Sequence, residues 1–177
     1  MALGEASGDP RVATVLEHVR LENTHDFPAC VALFARPRYE ILATHEVYGD
    51  GPGVEGFLLG NLRAFPDFHF EARRVVAADD VVFVEGDYTG THLGPWHGLP
   101  ATGRRVDFPM AVVFEFDGDD MVCERVYFDV GTPLRQLGVA SDPLSLAGRL
   151  TAVLTHPLTI LRALLRSLRP GHARRGG

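Results

Sequence analysis

Residues 90–103 read Gly90-Thr91-His92-Leu93-Gly94-Pro95-Trp96-His97-Gly98-Leu99-Pro100-Ala101-Thr102-Gly103. Four glycines and two prolines in this stretch forbid a continuous strand, because proline removes a ladder donor and glycine weakens pairing. A long excursion at the rim of a sheet is expected instead. Strand texture flanks it: residues 81–91 before and 104–116 after, then 68–77 and 121–130 further out. Asp79-Asp80 and Asp117-Gly118-Asp119-Asp120 supply tight turns between them, so these strands should form an antiparallel meander.

Upstream of Pro66-Asp67 the period changes from two residues to helical spacing. Asp9 is a helix cap followed by Pro10 at the first helical position, and Val12, Val15, Leu16, Val19 and Leu21 predict a helix over 11–25. Phe27, Val31 and Phe34 predict a short helix over 27–35, stopped by Arg36-Pro37. Residues 39–45 read as a strand, and Gly49, Gly51, Pro52 and Gly53 as an open loop. Phe57, Leu58, Leu62 and Phe65 place a third helix over 54–65. Helices first and strands after argue for an α+β domain whose helices pack on one face of a curved sheet.

The composition excludes several function classes. With 177 residues, 46% hydrophobic and 23% charged, the chain suits one globular domain and contains no apolar run of membrane-spanning length. Residues 1–9 lack the basic start and apolar stretch of a secretory signal, so a cytoplasmic location is expected. Cys30 and Cys123 stand alone and read as buried apolar residues. All 17 basic residues are arginine, which excludes Schiff-base chemistry through a lysine. No basic stripe with interleaved aromatics is present, so a nucleic-acid partner is not expected.

The net charge of −6 is unevenly spread: residues 141–177 hold six arginines and one aspartate, the preceding residues eleven arginines and 22 acids. From Asp142 onward, Leu146, Leu150, Val153, Leu154, Leu158, Leu161, Leu165 and Leu168 recur at three and four residues. This predicts an amphipathic helix, or a helix pair broken at Pro157, with a disordered end at 174–177. The division is therefore a domain over 1–140 and a basic tail over 141–177. The tail's apolar face should cover the domain or a partner, with an anionic membrane surface as the alternative.

The run Gly90-Thr91-His92-x-Gly94, then Gly98-Leu99-Pro100-x-Thr102-Gly103-Arg104, resembles the signature of SnoaL-like polyketide cyclases and related ester cyclases. Ala64-Phe65-Pro66-Asp67-Phe68, Glu124-Arg125-Val126-Tyr127-Phe128-Asp129 and Leu134-Arg135-Gln136-Leu137-Gly138 resemble its flanking blocks, so the likeness spans roughly residues 11–139. Pro100-Ala101-Thr102-Gly103 stands where many relatives have Pro-Pro-Thr-Gly, and the tail has no counterpart. The resemblance implies the cone shared with nuclear transport factor two and ketosteroid isomerase, dimerised through the open sheet face. It also implies a cofactor-independent cyclase or isomerase acting on a small polyketide-like or other hydrophobic carbonyl substrate.

In this family the carboxylate matching Asp129 is the usual general acid/base. Held among Tyr127, Phe128 and other apolar groups it would be desolvated, and its raised pKa would suit removal of a proton next to a carbonyl. The competing role is a cap on the segment beginning at Gly131-Thr132. Asp87 shares strand parity with Glu85, Thr89 and Thr91; it is a second carboxylate if that face lines the pocket and a solvated one if it does not. His92 is a further catalytic candidate. His45 and His97 could bind substrate oxygens, but the three histidines lack the spacing of a helical metal site, so no metal is expected. Trp96 is either a lid or an anchor for its loop. Tyr48, Arg125 and Tyr127 are candidate substrate-binding groups, the first two as donors to a developing enolate.

Two rival functions remain at this level. Limonene epoxide hydrolases share the cone and use an aspartate-arginine-aspartate arrangement, which Asp129 and Asp87 could partly match. Glu85, however, occupies the place expected for their arginine. The third is a non-catalytic module holding a hydrophobic ligand.

Overall fold

The computed structural model describes residues 8–142 and 144–167. Three helices open the chain: α1 (Pro10–Asn23), α2 (Phe27–Ala32) and α3 (Gly51–Ala64). Each begins with an aspartate cap and a proline in its first turn. Asp9 accepts from the Arg11 amide, Asp26 from Ala29 and Asp50 from Gly53, satisfying donors that have no partner inside the helix.

Six strands form one curved open sheet: β1 (Tyr39–Ile41), β2 (Glu46–Tyr48), β3 (His69–Ala78), β4 (Val81–Thr91), β5 (Arg105–Asp117) and β6 (Asp120–Tyr127). Their order is β2-β1-β6-β5-β4-β3. All pairs are antiparallel except β1 with β6, where Tyr39 lies opposite Glu124 and Ile41 opposite Val126. Asp79-Asp80 forms the β3–β4 turn, with Ala78 opposite Val81. The strand expected over 39–45 is corrected: it ends at Ile41, turns through residues 42–45, and returns as β2 with Tyr48 opposite Tyr39. His45 makes the reversal possible by adopting a left-handed φ of 58°.

Two register shifts, between Ala72 and Arg74 and between Glu115 and Phe116, bend the sheet as bulges do. Gly86 sits at the first of these; a Cβ there would lie 2.3 Å from the Glu71 carbonyl oxygen. On the inner face Val82, Val84 and Tyr88 of β4 and Val106, Phe108, Val112 and Phe114 of β5 join Val15 and Val19 of α1 and Leu58 of α3 in one core. Full burial of each such side chain is worth about 1.5–3 kcal/mol. Cys30 and Cys123 are buried free thiols.

The glycine-rich excursion is ordered. His92 N–H donates to the Arg104 carbonyl and Gly103 N–H to the His92 carbonyl, both at 2.9 Å, so the ladder outlasts the named strands. Trp96 and Leu99 then exchange bonds across a turn whose corners, His97 (φ 47°) and Gly98 (φ 80°), are left-handed. Leu93 and Gly94 donate to the Ala64 carbonyl at the end of α3. Only glycine fits at position 94, because a Cβ would stand 2.1 Å from the Arg63 carbonyl oxygen.

A short helix, α4 (Gly131–Gln136), follows the sheet and packs on β5. The described residues from 138 onward form a separate compact unit. Its described part is the expected helix pair, α5 (Leu146–Thr155) and α6 (Pro157–Ser167), with Pro157 opening the second helix as its lost amide donor allows. The end expected to be disordered lies outside the described residues.

Candidate functional site

A cavity opens between the inner face of the sheet and helices α1 and α3. Its wall carries nine aromatic side chains, Phe68, Tyr88, Trp96, Phe108 and Phe128 among them. Its charged lining is one-sided: Glu22, Glu46 and Glu124, with His97 beside Glu46 and, among the described residues, no arginine.

At one end of this cavity a polar cluster is set into apolar surroundings. His18 of α1 is fully buried, with its ring edge-on to Phe34 and Phe114 at 5.3 Å each. Its Nε2 lies 2.9 Å from Glu124 Oε2, 3.9 Å from Glu22 Oε2 and 3.0 Å from the Tyr39 hydroxyl, while Nδ1 lies 3.3 Å from the Cys30 sulfur. The Glu124 contact is ionic in distance, but Glu124 Oε2 is buried without an aligned hydrogen-bond donor among the described residues.

Burial alone would depress the His18 pKa; its contacts with Cys30 and Glu124 oppose this and raise it well above the ordinary value. Burial pushes Glu22 up to about 7, the Glu124 charge adds to the rise, and His18 pulls the other way. Burial also raises the Tyr39 hydroxyl, helped by the Glu124 charge. Two carboxyl groups thus face one cavity, Glu22 with its pKa raised to about 7 and Glu124 2.9 Å from the buried His18 ring.

The expected site residues mostly lie elsewhere. Asp129, expected as the general base with a cap as the alternative, has a side chain that is 64% exposed and accepts from the Gly131 amide, the Thr132 hydroxyl and Arg135. These bonds, Thr132 first and Arg135 next, lower its pKa, the reverse of what a base near neutrality requires. Asp87 does share a face with Glu85, Thr89 and Thr91, but it is the outer face, where Arg73 holds Asp87 and Arg74 approaches Glu85. Arg125 is also on the outer face, bridging Glu40 and Glu115 at 2.9 and 3.0 Å, and Tyr127 is exposed. The aspartate-arginine-aspartate arrangement is thus not assembled.

Among the aromatics and histidines the outcome is mixed. Trp96 and His97 line the cavity, and Trp96 packs edge-on to Phe65 at 5.7 Å. His92 is buried outside the cavity wall. The Thr102 amide donates to its Nδ1 at 3.2 Å, which leaves the proton on Nε2, and desolvation lowers its pKa; it pins the two arms of the excursion together. His45 is an exposed turn residue, and Tyr48 packs on Phe57 at 4.8 Å beside the cavity.

His18, Glu22 and Glu124 were not among the expected residues. The signal was available: His18 and Glu22 are four apart on a helix whose buried face also carries Val15 and Val19, so two ionisable groups occupy core positions. The same three residues have the composition of a metal site, with one ligand-type atom each and all three within 4.8 Å of one another. His18 Nε2 already faces Glu124 and Tyr39, and the displaced Glu22 pKa fits a shared proton as well as a cation.

The sequence model of SnoaL-like polyketide cyclases matches residues 11–137. No curated protein sequence matches the chain. Among solved structures, AclR of Streptomyces galilaeus is similar at 24% identity and TM-score 0.64, over 75% of this chain and 87% of that one. IdmH of Streptomyces antibioticus is similar at 23% identity and TM-score 0.62, over 73% and 99%. A phenazine biosynthesis-related protein of Pseudomonas aeruginosa is similar at 20% identity and TM-score 0.64, over 77% and 90%. At these identities the likeness is one of fold.

Proposed function

We propose that this chain, which belongs to the SnoaL-like polyketide cyclase family, is a cyclase or isomerase whose acid/base pair is Glu124 and Glu22. The observation that carries this reading is the pair of carboxyls at the aromatic cavity with a buried histidine behind them. The raised pKa of Glu22 suits it to the acid role and leaves Glu124 as the base. Glu124, beside His18, takes a proton from carbon flanked by carbonyl groups. Glu22, protonated up to about pH 7, donates a hydrogen bond to the enolate oxygen. The enolate carbon attacks a second carbonyl of the same molecule, and the alkoxide takes the proton back from Glu124. One C–C bond forms, one C=O π bond is lost, and the proton moves from carbon to oxygen. Neither an oxidant nor a leaving group is needed. His18 touches both carboxyls and Tyr39 touches His18, and neither is on the cavity wall, so they are positioning residues.

The cavity also selects by charge. With no arginine among its described lining residues, the cavity offers a free carboxylate or phosphate no guanidinium partner, so the substrate enters as an uncharged ester or ketone that the aromatic wall desolvates. The test is deuterium uptake from solvent, followed by NMR, into an acyclic β-keto ester and into the corresponding free β-keto acid, alongside turnover of an epoxide. Enzyme-dependent exchange of the ester, little of the acid and no epoxide opening is the expected pattern. Saturable binding of the ester with no exchange would leave a ligand-holding module instead.

A further inference from the structure

We propose that the C-terminal helix pair is a docking element for an anionic lipid-bilayer surface, an inference independent of the chemistry in the cavity. The matched family domain ends at residue 137, so this unit lies outside what the family shares. In α6, Leu158, Leu161 and Leu165 recur along one side while Arg162 and Arg166 stand four apart on another. In α5, Leu146, Leu150, Val153 and Leu154 form a similar side flanked by Arg149. These leucines face solvent: Leu146 is 84% exposed, Leu154 72% and Leu158 66%. Soluble proteins seldom leave an apolar surface of this extent open without a partner for it.

The charge pattern chooses the partner. From residue 143 to the end the sequence holds six arginines and no acid, so the polar side is purely cationic. Among the described residues no acid pairs with Arg149, Arg162 or Arg166. A second copy of the unit would meet this one with like charge, whereas lipid phosphates accept guanidinium donors in paired hydrogen bonds. A basic amphipathic helix lies in the membrane plane with its apolar side about 5–10 Å deep at the headgroup boundary. Crossing is excluded for these two helices, since none of the described helices is long and apolar enough to span a bilayer. The remainder of the chain, with 22 acids to eleven arginines, is repelled by the same surface, which confines contact to the tail.

Co-sedimentation of the full-length protein tests this, using vesicles of phosphatidylcholine alone and of phosphatidylcholine mixed with phosphatidylglycerol. The proposal expects pelleting with the anionic vesicles only, weakening as salt screens the arginines. Leu161→Gln with Leu165→Gln, and separately Arg162→Gln with Arg166→Gln, should each abolish pelleting while leaving the thermal unfolding of the domain unchanged, because these side chains are exposed. Wild-type protein remaining in the supernatant at low salt would overturn the proposal. So would equal pelleting with both vesicle types, or a leucine variant that turns a lipid-indifferent oligomer into a monomer.

Discussion

Glu124 and Asp129 lie near the end of the same polypeptide segment, yet their surroundings are opposite. Glu124 points inward from β6 with Val126 and Phe128, 2.9 Å from the buried His18 ring. Asp129 lies past the strand, 64% exposed, and holds the start of α4 through three hydrogen bonds. Those bonds lower the Asp129 pKa, whereas Glu124 Oε2 is buried without an aligned donor among the described residues. Strand parity separates the two groups: even-numbered residues 124, 126 and 128 face the cavity, whereas Arg125 and Tyr127 do not.

The largest test of this contrast is on stability. His18→Ala leaves Glu124 buried without its partner and should cost about 3–5 kcal/mol in urea unfolding, the penalty for an orphaned buried charge. Arg125→Ala, on the outer face, breaks ion pairs of a 39% exposed side chain and should cost about 0–1 kcal/mol. Equal costs for the two variants would erase the distinction between the faces.

Next in size is the pH dependence. The folded-state pKa of Glu22, about 7 against an ordinary 4.5, is raised, so the folded protein binds the proton more tightly than the unfolded one. Its contribution to stability is therefore present below pH 4.5, falls as the pH rises toward 7, and is flat above. His18, also raised, loses its stabilising contribution as the pH climbs through its own folded value. Glu22→Gln removes the first effect and should stabilise the protein relative to wild type by on the order of 2 kcal/mol at pH 8 and hardly at all at pH 4.5. Parallel stability curves for variant and wild type would mean that Glu22 titrates normally.

A smaller effect is expected from chelation. Dialysis against a chelator should leave deuterium exchange unchanged if the triad holds a proton, and loss of exchange restored by a divalent ion would make His18, Glu22 and Glu124 a metal site.

Much of the fold was legible because its signals are local. The helix cap at Asp9, the Asp79-Asp80 turn and the glycine-rich excursion each depend on neighbouring residues, whereas the Asp50 cap escaped, because the glycines and proline around it read as an open loop and α3 starts at Gly51 rather than at 54. The reversal at His45 escaped, because an alternating pattern carries no mark of one left-handed residue. The site was harder to read because its parts come from distant segments: α1 supplies His18 and Glu22, β1 supplies Tyr39 and β6 supplies Glu124. Only the topology, with β1 parallel to β6, brings Tyr39 opposite Glu124. Ionisable residues on the buried side of α1 were the local clue to this cluster.

The comparison of the two carboxyls is most directly decided by replacing each with its amide and measuring deuterium exchange into the same β-keto ester. Glu124→Gln removes the proton acceptor within the cavity and should lower the exchange rate by about 10²–10⁴-fold, whereas Asp129→Asn should leave it within about twofold of wild type because that group lies outside the cavity wall. The reverse pattern, with Asp129→Asn inactive and Glu124→Gln unimpaired in proteins that melt alike, would contradict the assignment and return the base to the end of the strand.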